Sequence, residues 1–256
     1  MPALPPPSRP FWVGSGRFPI GSTWLSESES NAASFAHKIL LMIITIDGPA
    51  KSGKSKAGEL LAARLRVPLL NTGAMYRAVA LMLADQGISF GDLEAVAVAV
   101  HGCRFTIDEG IKLNDIDYTD RVGTAIAGQG ASQVGELIAV RRPLQAEQRR
   151  LTANRAFVAE GRDLGTVVFP DAPVKFYVTA SVRVRAFRQQ ASGDLRAIDE
   201  IIDDLKIRDE RDMKRALDPL YPATDAIVLS TDHLSAEQVA AAMEGHVAAC
   251  RSRFTA

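Results

Sequence analysis

Only two cysteines occur in the 256 residues, Cys103 and Cys250, far apart and without the short spacings that gather a metal. A disulfide-stapled or zinc-ribbon fold is thereby excluded, and a reducing compartment such as the cytoplasm fits. Neither sign of charge is in excess, since lysine plus arginine and aspartate plus glutamate both number 30. A polymeric DNA or RNA partner, which calls for a broad positive field, is not expected. No apolar run reaches bilayer length; the run at 39–46 reads instead as a buried strand, so no membrane partner is expected. No apolar stretch with a cleavage site marks a secretory signal, and no internal repeat is present. Residues 1–41 carry Pro2, Pro5, Pro6, Pro7 and Pro10 and no sustained hydrophobic period. They are expected to form a disordered extension, and Met42 is an alternative start.

What the chain does have begins at about residue 43. Short β-rich runs at 43–47, 68–70, 157–159, 174–178 and 226–229 alternate with helical periods at 54–65, 74–86, 143–154, 182–190, 194–216 and 235–249. That rhythm predicts an α/β fold with a parallel central sheet covered on both faces. The stretch 87–135 breaks it. A short helix, the turn at 108–110 and flanking β segments at 103–107 and 111–113 predict a hairpin-bearing insertion.

The strongest local signal is Gly48, Pro49, Ala50, Lys51, Ser52, Gly53, Lys54 and Ser55, matching GxxxxGK[ST] between an apolar strand and a helix. Its glycines let successive N–H groups face phosphate oxygens, and the following helix adds the positive end of its dipole. Lys54 is expected on the β and γ phosphates of ATP, and the Ser55 hydroxyl on Mg²⁺. Lys51 and Lys56 add cations to the loop. On the acceptor side Arg77, Arg162, Arg208, Arg211 and Arg215 follow strand ends or share one helix. Guanidinium forks there suit a second phosphate.

Four strings carry a resemblance: TGAMYR at 72–77, EGRDLGTVVFP at 160–170, RDERD with Arg215 at 208–215, and PLYPA at 219–223. Together they resemble bacterial cytidylate kinases over about residues 42–250. The resemblance implies a P-loop NTPase fold over 42–256, with an NMP-binding insertion at about 87–135 and a short lid at about 182–192. It implies ATP-dependent phosphorylation of CMP and dCMP, with Lys54, Arg162 and Arg215 catalytic. Thr72, Arg77, Arg162 and Arg215 would hold the acceptor phosphate; Ser132, Arg141 and Asp163 would read cytosine; Arg208 and Asp212 would hold the sugar. Arg183 and Arg185 of the lid, with Arg188, would close over ATP. Lys51, Lys56 and Asn71 depart from the family's usual glycine, threonine and aspartate. A monomer is expected. The competing readings are another small-molecule kinase with the same loop, or a nucleotide sensor without turnover.

Overall fold

The structure is a computed structural model that describes residues 42–108 and 110–255. The expected N-terminal extension, 1–41, lies outside them. Five parallel strands form the central sheet in the order β2-β6-β1-β7-β8. They are β1 (Ile43–Asp47), β2 (Leu69–Asn71), β6 (Phe157–Glu160), β7 (Val174–Thr179) and β8 (Ile227–Ser230). The apolar run of β1 puts it in the centre: Ile44 and Ile46 are fully buried, and its neighbours β6 and β7 are buried along almost their whole length. Parallel strands covered on both faces have this continuous apolar character.

Helix α1 (Lys54–Leu65) and helix α8 (Ala236–Thr255) cover one face, enclosing Ile44, Ile46, Leu61, Val178 and Met243. The other face is covered by α2 (Thr72–Asp85) and α5 (Ile138–Thr152), with α3 (Leu93–Val100) and α4 (Ala125–Val134) beyond them. Every residue of α2 from Ala78 to Leu83 is buried, because the sheet lies on one side of the helix and α4 on the other. Gly130 permits that approach: a Cβ there would stand 2.8 Å from the Ala80 Cβ. Two further helices, α6 (Val182–Ala191) and α7 (Ile198–Lys214), pack together around Ala50 of the phosphate loop.

Three features differ from the sequence-based expectation. The insertion holds a three-stranded antiparallel sheet, β3 (Phe105–Thr106), β4 (Lys112–Leu113) and β5 (Ile116–Asp117), together with the unforeseen α4. These strands are two residues each, too short to show a period of two. Helix α5 begins at Ile138, not at Pro143. The proline forfeits one backbone bond, but buried Val140 and Arg141 anchor the preceding turn. A single π-helical turn, Leu164–Val168, follows β6. Cys103 and Cys250 are free thiols. Among the described residues no helix is long and apolar enough to cross a membrane.

Candidate active site

The carboxyl ends of β1, β2 and β6 open into one cleft of about 440 Å³, where an open α/β sheet binds its ligands. The phosphate loop leaves β1 there. Gly48 has φ 147°, and a Cβ on it would stand 2.0 Å from the carbonyl oxygen of Val178, so only glycine fits. Lys54 opens α1 and is buried, donating from Nζ to the Pro49 carbonyl at 3.0 Å. Burial first, then the nearby Arg162 guanidinium, brings its ammonium down to about 7. The Ser55 hydroxyl donates to Glu160 Oε2 at 2.7 Å.

Glu160, the last residue of β6, was not singled out from the sequence; the signal was an acid closing an apolar strand beside the arginines. Ser55 and Glu160 offer adjacent oxygens suited to a hard cation. Among the described residues there is no cluster of three or more acidic, His or Cys ligands. Mg²⁺ fits such a setting, since it keeps several waters and is completed by substrate phosphates. Lys56, exposed where it lines the cleft, pairs with Glu59 at 3.2 Å.

Across the cleft, α2 starts where Asn71 Oδ1 accepts the Ala74 N–H at 2.9 Å. Asparagine caps a helix as well as aspartate does, so the departure at Asn71 leaves the cap intact. Thr72 Oγ1 donates to the Glu160 carbonyl at 2.8 Å, tying α2 to β6. The turn after β6 is pinned by a second residue that sequence reasoning missed, Asp47. Its carboxylate accepts the N–H groups of Leu164 and Gly165 at 3.0 and 2.7 Å. Burial pushes Asp47 up to about 6.

This turn presents Arg162 and Asp163. Arg162 Nε donates to Asp212 at 2.9 Å, joining two residues expected on phosphate and sugar respectively. Asp163 lies in a buried ion-pair network: Arg141 Nη2 reaches it at 2.6 Å and Arg215 Nη2 at 3.2 Å. Arg141 is held further by Asp218 at 2.9 Å and the Gly135 carbonyl at 3.0 Å. Its guanidinium lies 5.8 Å from the Tyr76 ring centroid. Ser132 accepts from Arg211 at 2.9 Å. Arg77 and Arg208 line the same cleft, yet among the described residues neither has an ion pair and Arg208 Nε is buried without an acceptor. Burial, with Arg162 close by, brings Arg208 down to about 10.

Two expectations about arginines need correction. Arg208, Arg211 and Arg215 do not share one helical face: α7 ends at Lys214, and Arg215 has extended backbone at its C-cap, φ −60° and ψ 140°. That extension turns Arg215 toward Asp163. Nor does the structure bring Arg183 or Arg185 to the cleft. Arg183 stands 5.6 Å over the ring of Phe187. Arg185 is buried against Asp209 and braces the Ala50 carbonyl from behind at 3.3 Å. Of the arginines expected in a lid, Arg188 lines the cleft, donating to the carbonyls of Ser52 and Thr231 at 3.2 and 2.7 Å.

Ten basic side chains and four carboxylates line the cleft of a chain that is neutral overall. Such focusing attracts a polyanion, and two sets of cations on opposite walls suit two phosphorylated ligands. The sequence profile of the cytidylate kinase family matches residues 44–248. The chain is 41% identical to the cytidylate kinase of Pseudomonas putida W619 over 208 residues, covering 77% of this chain and 91% of that protein. It is 42% identical to that of Pseudomonas savastanoi pv. phaseolicola over 213 residues, covering 79% and 93%. Among solved structures, a shikimate kinase from Bacteroides thetaiotaomicron aligns over 81% of this chain and 98% of its own, with TM-score 0.39 and 14% identity, too loose a likeness to bear on function. By sequence over most of its length, this chain belongs to the cytidylate kinase family.

Proposed function

We propose that this protein transfers the γ-phosphoryl group of ATP to CMP and dCMP, giving CDP and dCDP. The observation that carries the reading is the single cleft in which the Lys54 loop faces Arg77, Arg162, Arg208 and Arg215. ATP is assigned to the loop and the acceptor phosphate to the arginines of α2, the turn after β6 and the end of α7. Phosphoryl transfer asks for positioning and charge stabilisation more than proton chemistry, so no general base is assigned. Ser55 and Glu160 would hold a Mg²⁺ ion, which would supply charge neutralisation on the phosphate oxygens. The Arg162–Asp212 pair holds the first guanidinium in place before substrate arrives. ADP release followed with CMP, dCMP, UMP and AMP as acceptors tests the assignment. Release with CMP and dCMP well above the others is expected; equal or absent release would overturn it.

The phosphate arginines give a second expected result. Arg77→Lys and Arg215→Lys should each lower kcat/KM for the nucleotide acceptor by about tenfold or more, because an ammonium cannot copy a two-pronged contact to phosphate. Steady-state kinetics at saturating ATP measure it; unchanged values would remove these arginines from the site.

Lys54 gives a third. Its ammonium is held down to about 7 in the ligand-free protein, so at pH 8 the amine is mostly neutral. Triphosphate at hydrogen-bond distance favours the charged form. Binding of Mg·ATP at pH 8 should therefore take up close to one proton, and the uptake should shrink as pH falls below 7, where Lys54 is already charged. Calorimetric titration in buffers of different ionisation enthalpy measures this directly, and Lys54→Ala should abolish it.

A further inference from the structure

We propose that Lys51 is a catalytic residue of this chain, closing a three-cation clamp with Arg77 and Arg208 on the phosphoryl group as it passes between the two nucleotides. The inference rests on the reading that this cleft transfers phosphate. Three independent observations meet at Lys51.

The first is backbone geometry. Lys51 has φ 60°, in the left-handed region, within the phosphate loop. A side chain costs free energy in that conformation, where glycine costs none. Strain of this kind is held mostly at functional positions.

The second is pairing. Most basic side chains of the cleft are engaged: Arg141, Arg162 and Arg215 with carboxylates, Arg188 and Lys54 with carbonyls, Lys56 with Glu59. Among the described residues Lys51 and Arg77 have no hydrogen bond or ion pair, and Arg208 keeps a buried unpartnered Nε. The fields of Arg77 and Arg208, after partial desolvation, both press the Lys51 ammonium down from its ordinary value. Three cations that repel one another, with Asp194, Glu160, Asp209 and Asp212 acting on them only from beyond ion-pair distance, form an electrostatic trap for a group that brings several negative oxygens.

The third is topology. Lys51 belongs to the donor loop, Arg77 to α2 and Arg208 to α7. A ligand that touches all three must lie between donor and acceptor, and the transferring phosphoryl group is the one group common to both nucleotides.

The step balances without proton transfer to or from Lys51. An oxygen of the acceptor phosphate forms a bond to the γ-phosphorus, the bond to the β–γ bridging oxygen breaks, and its electron pair leaves with ADP. Lys51, charged throughout, holds the equatorial oxygens of the group in transit.

Lys51→Gly separates this role from that of a solvated surface cation. It removes the ammonium, the strain and the repulsion together, so the melting temperature should hold or rise. The expected kinetic result is kcat lowered by about ten- to hundredfold, with the Kd for Mg·ATP changed less than threefold and Lys51→Arg restoring most of the rate. A Lys51→Gly enzyme whose kcat stays within twofold of wild type overturns the clamp while leaving the cytidylate kinase reading intact. Loss of ATP affinity equal to the loss in kcat also overturns it, assigning Lys51 to the donor alone. A wild-type enzyme inactive on every nucleoside monophosphate overturns the reading and the clamp with it.

Discussion

Lys54→Ala is expected to lower kcat by about a hundredfold or more while the protein stays folded. The group it removes is positioned before substrate arrives, with Nζ held at 3.0 Å by the Pro49 carbonyl, and the triphosphate then favours its charged form. A preorganised charge on a transferring group accounts for about 3 to 4 kcal/mol of barrier in comparable deletions. The same deletion should not cost stability, because burial already disfavours the charged amine in the ligand-free protein. Kinetics at saturating substrate with a thermal melt on the same sample check both halves. Near-normal turnover, or a collapse of the fold, would contradict the assignment.

Base choice is the second large effect. CMP and dCMP should exceed UMP by roughly a hundredfold in kcat/KM, a gap of about 3 kcal/mol. Cytosine presents a donating amine and an accepting ring nitrogen where uracil presents the reverse. The Asp163 carboxylate has about four acceptor sites. Hydrogen bonds from Arg141 and Gln145 occupy two of them, at 2.6 and 3.4 Å, while Arg215 pairs with the carboxylate by charge at 3.2 Å, so acceptor capacity remains for the amine. Arg141 donates to Asp163, Asp218 and the Gly135 carbonyl, and two of its five N–H groups remain for the ring nitrogen. A uracil oxygen would face the carboxylate, which a buried site penalises strongly.

Asp163→Ala should narrow the gap chiefly by damaging CMP use. It should also lower the melting temperature by roughly ten degrees, since removing one partner of a buried ion pair costs about 3 to 5 kcal/mol. Asp163→Asn, which keeps the shape, carries the kinetic test if the alanine variant is too unstable to assay. A gap unchanged in the asparagine variant would remove Asp163 from base reading.

The phosphate loop and the five strands were legible in the sequence because their determinants are local. A glycine pattern between an apolar strand and a helix announces its own conformation, and the runs of β1, β6 and β7 are buried on both faces, so their apolar character shows without any partner. The insertion was half legible. Its turn and its departure from the βαβ rhythm could be read, but strands of two residues and a helix such as α4, with three buried positions among ten, leave too little pattern.

The sequence by itself determined the class of fold and the family, and nominated basic residues for one site. The tertiary structure alone decided which of them are free to meet a phosphate. That is a matter of pairing between residues far apart in the chain: Arg185 is taken by Asp209 and the Ala50 carbonyl, Arg162 is steadied by Asp212, and Asp163 is shared between Arg141 and Arg215. A guanidinium looks the same in a string of letters whether a carboxylate stands beside it or not. Only folding brings the carboxylates to some arginines and leaves Arg77, Arg208 and Lys51 without an ion pair among the described residues, because charge pairing acts over a few ångströms of space, whatever the separation in sequence.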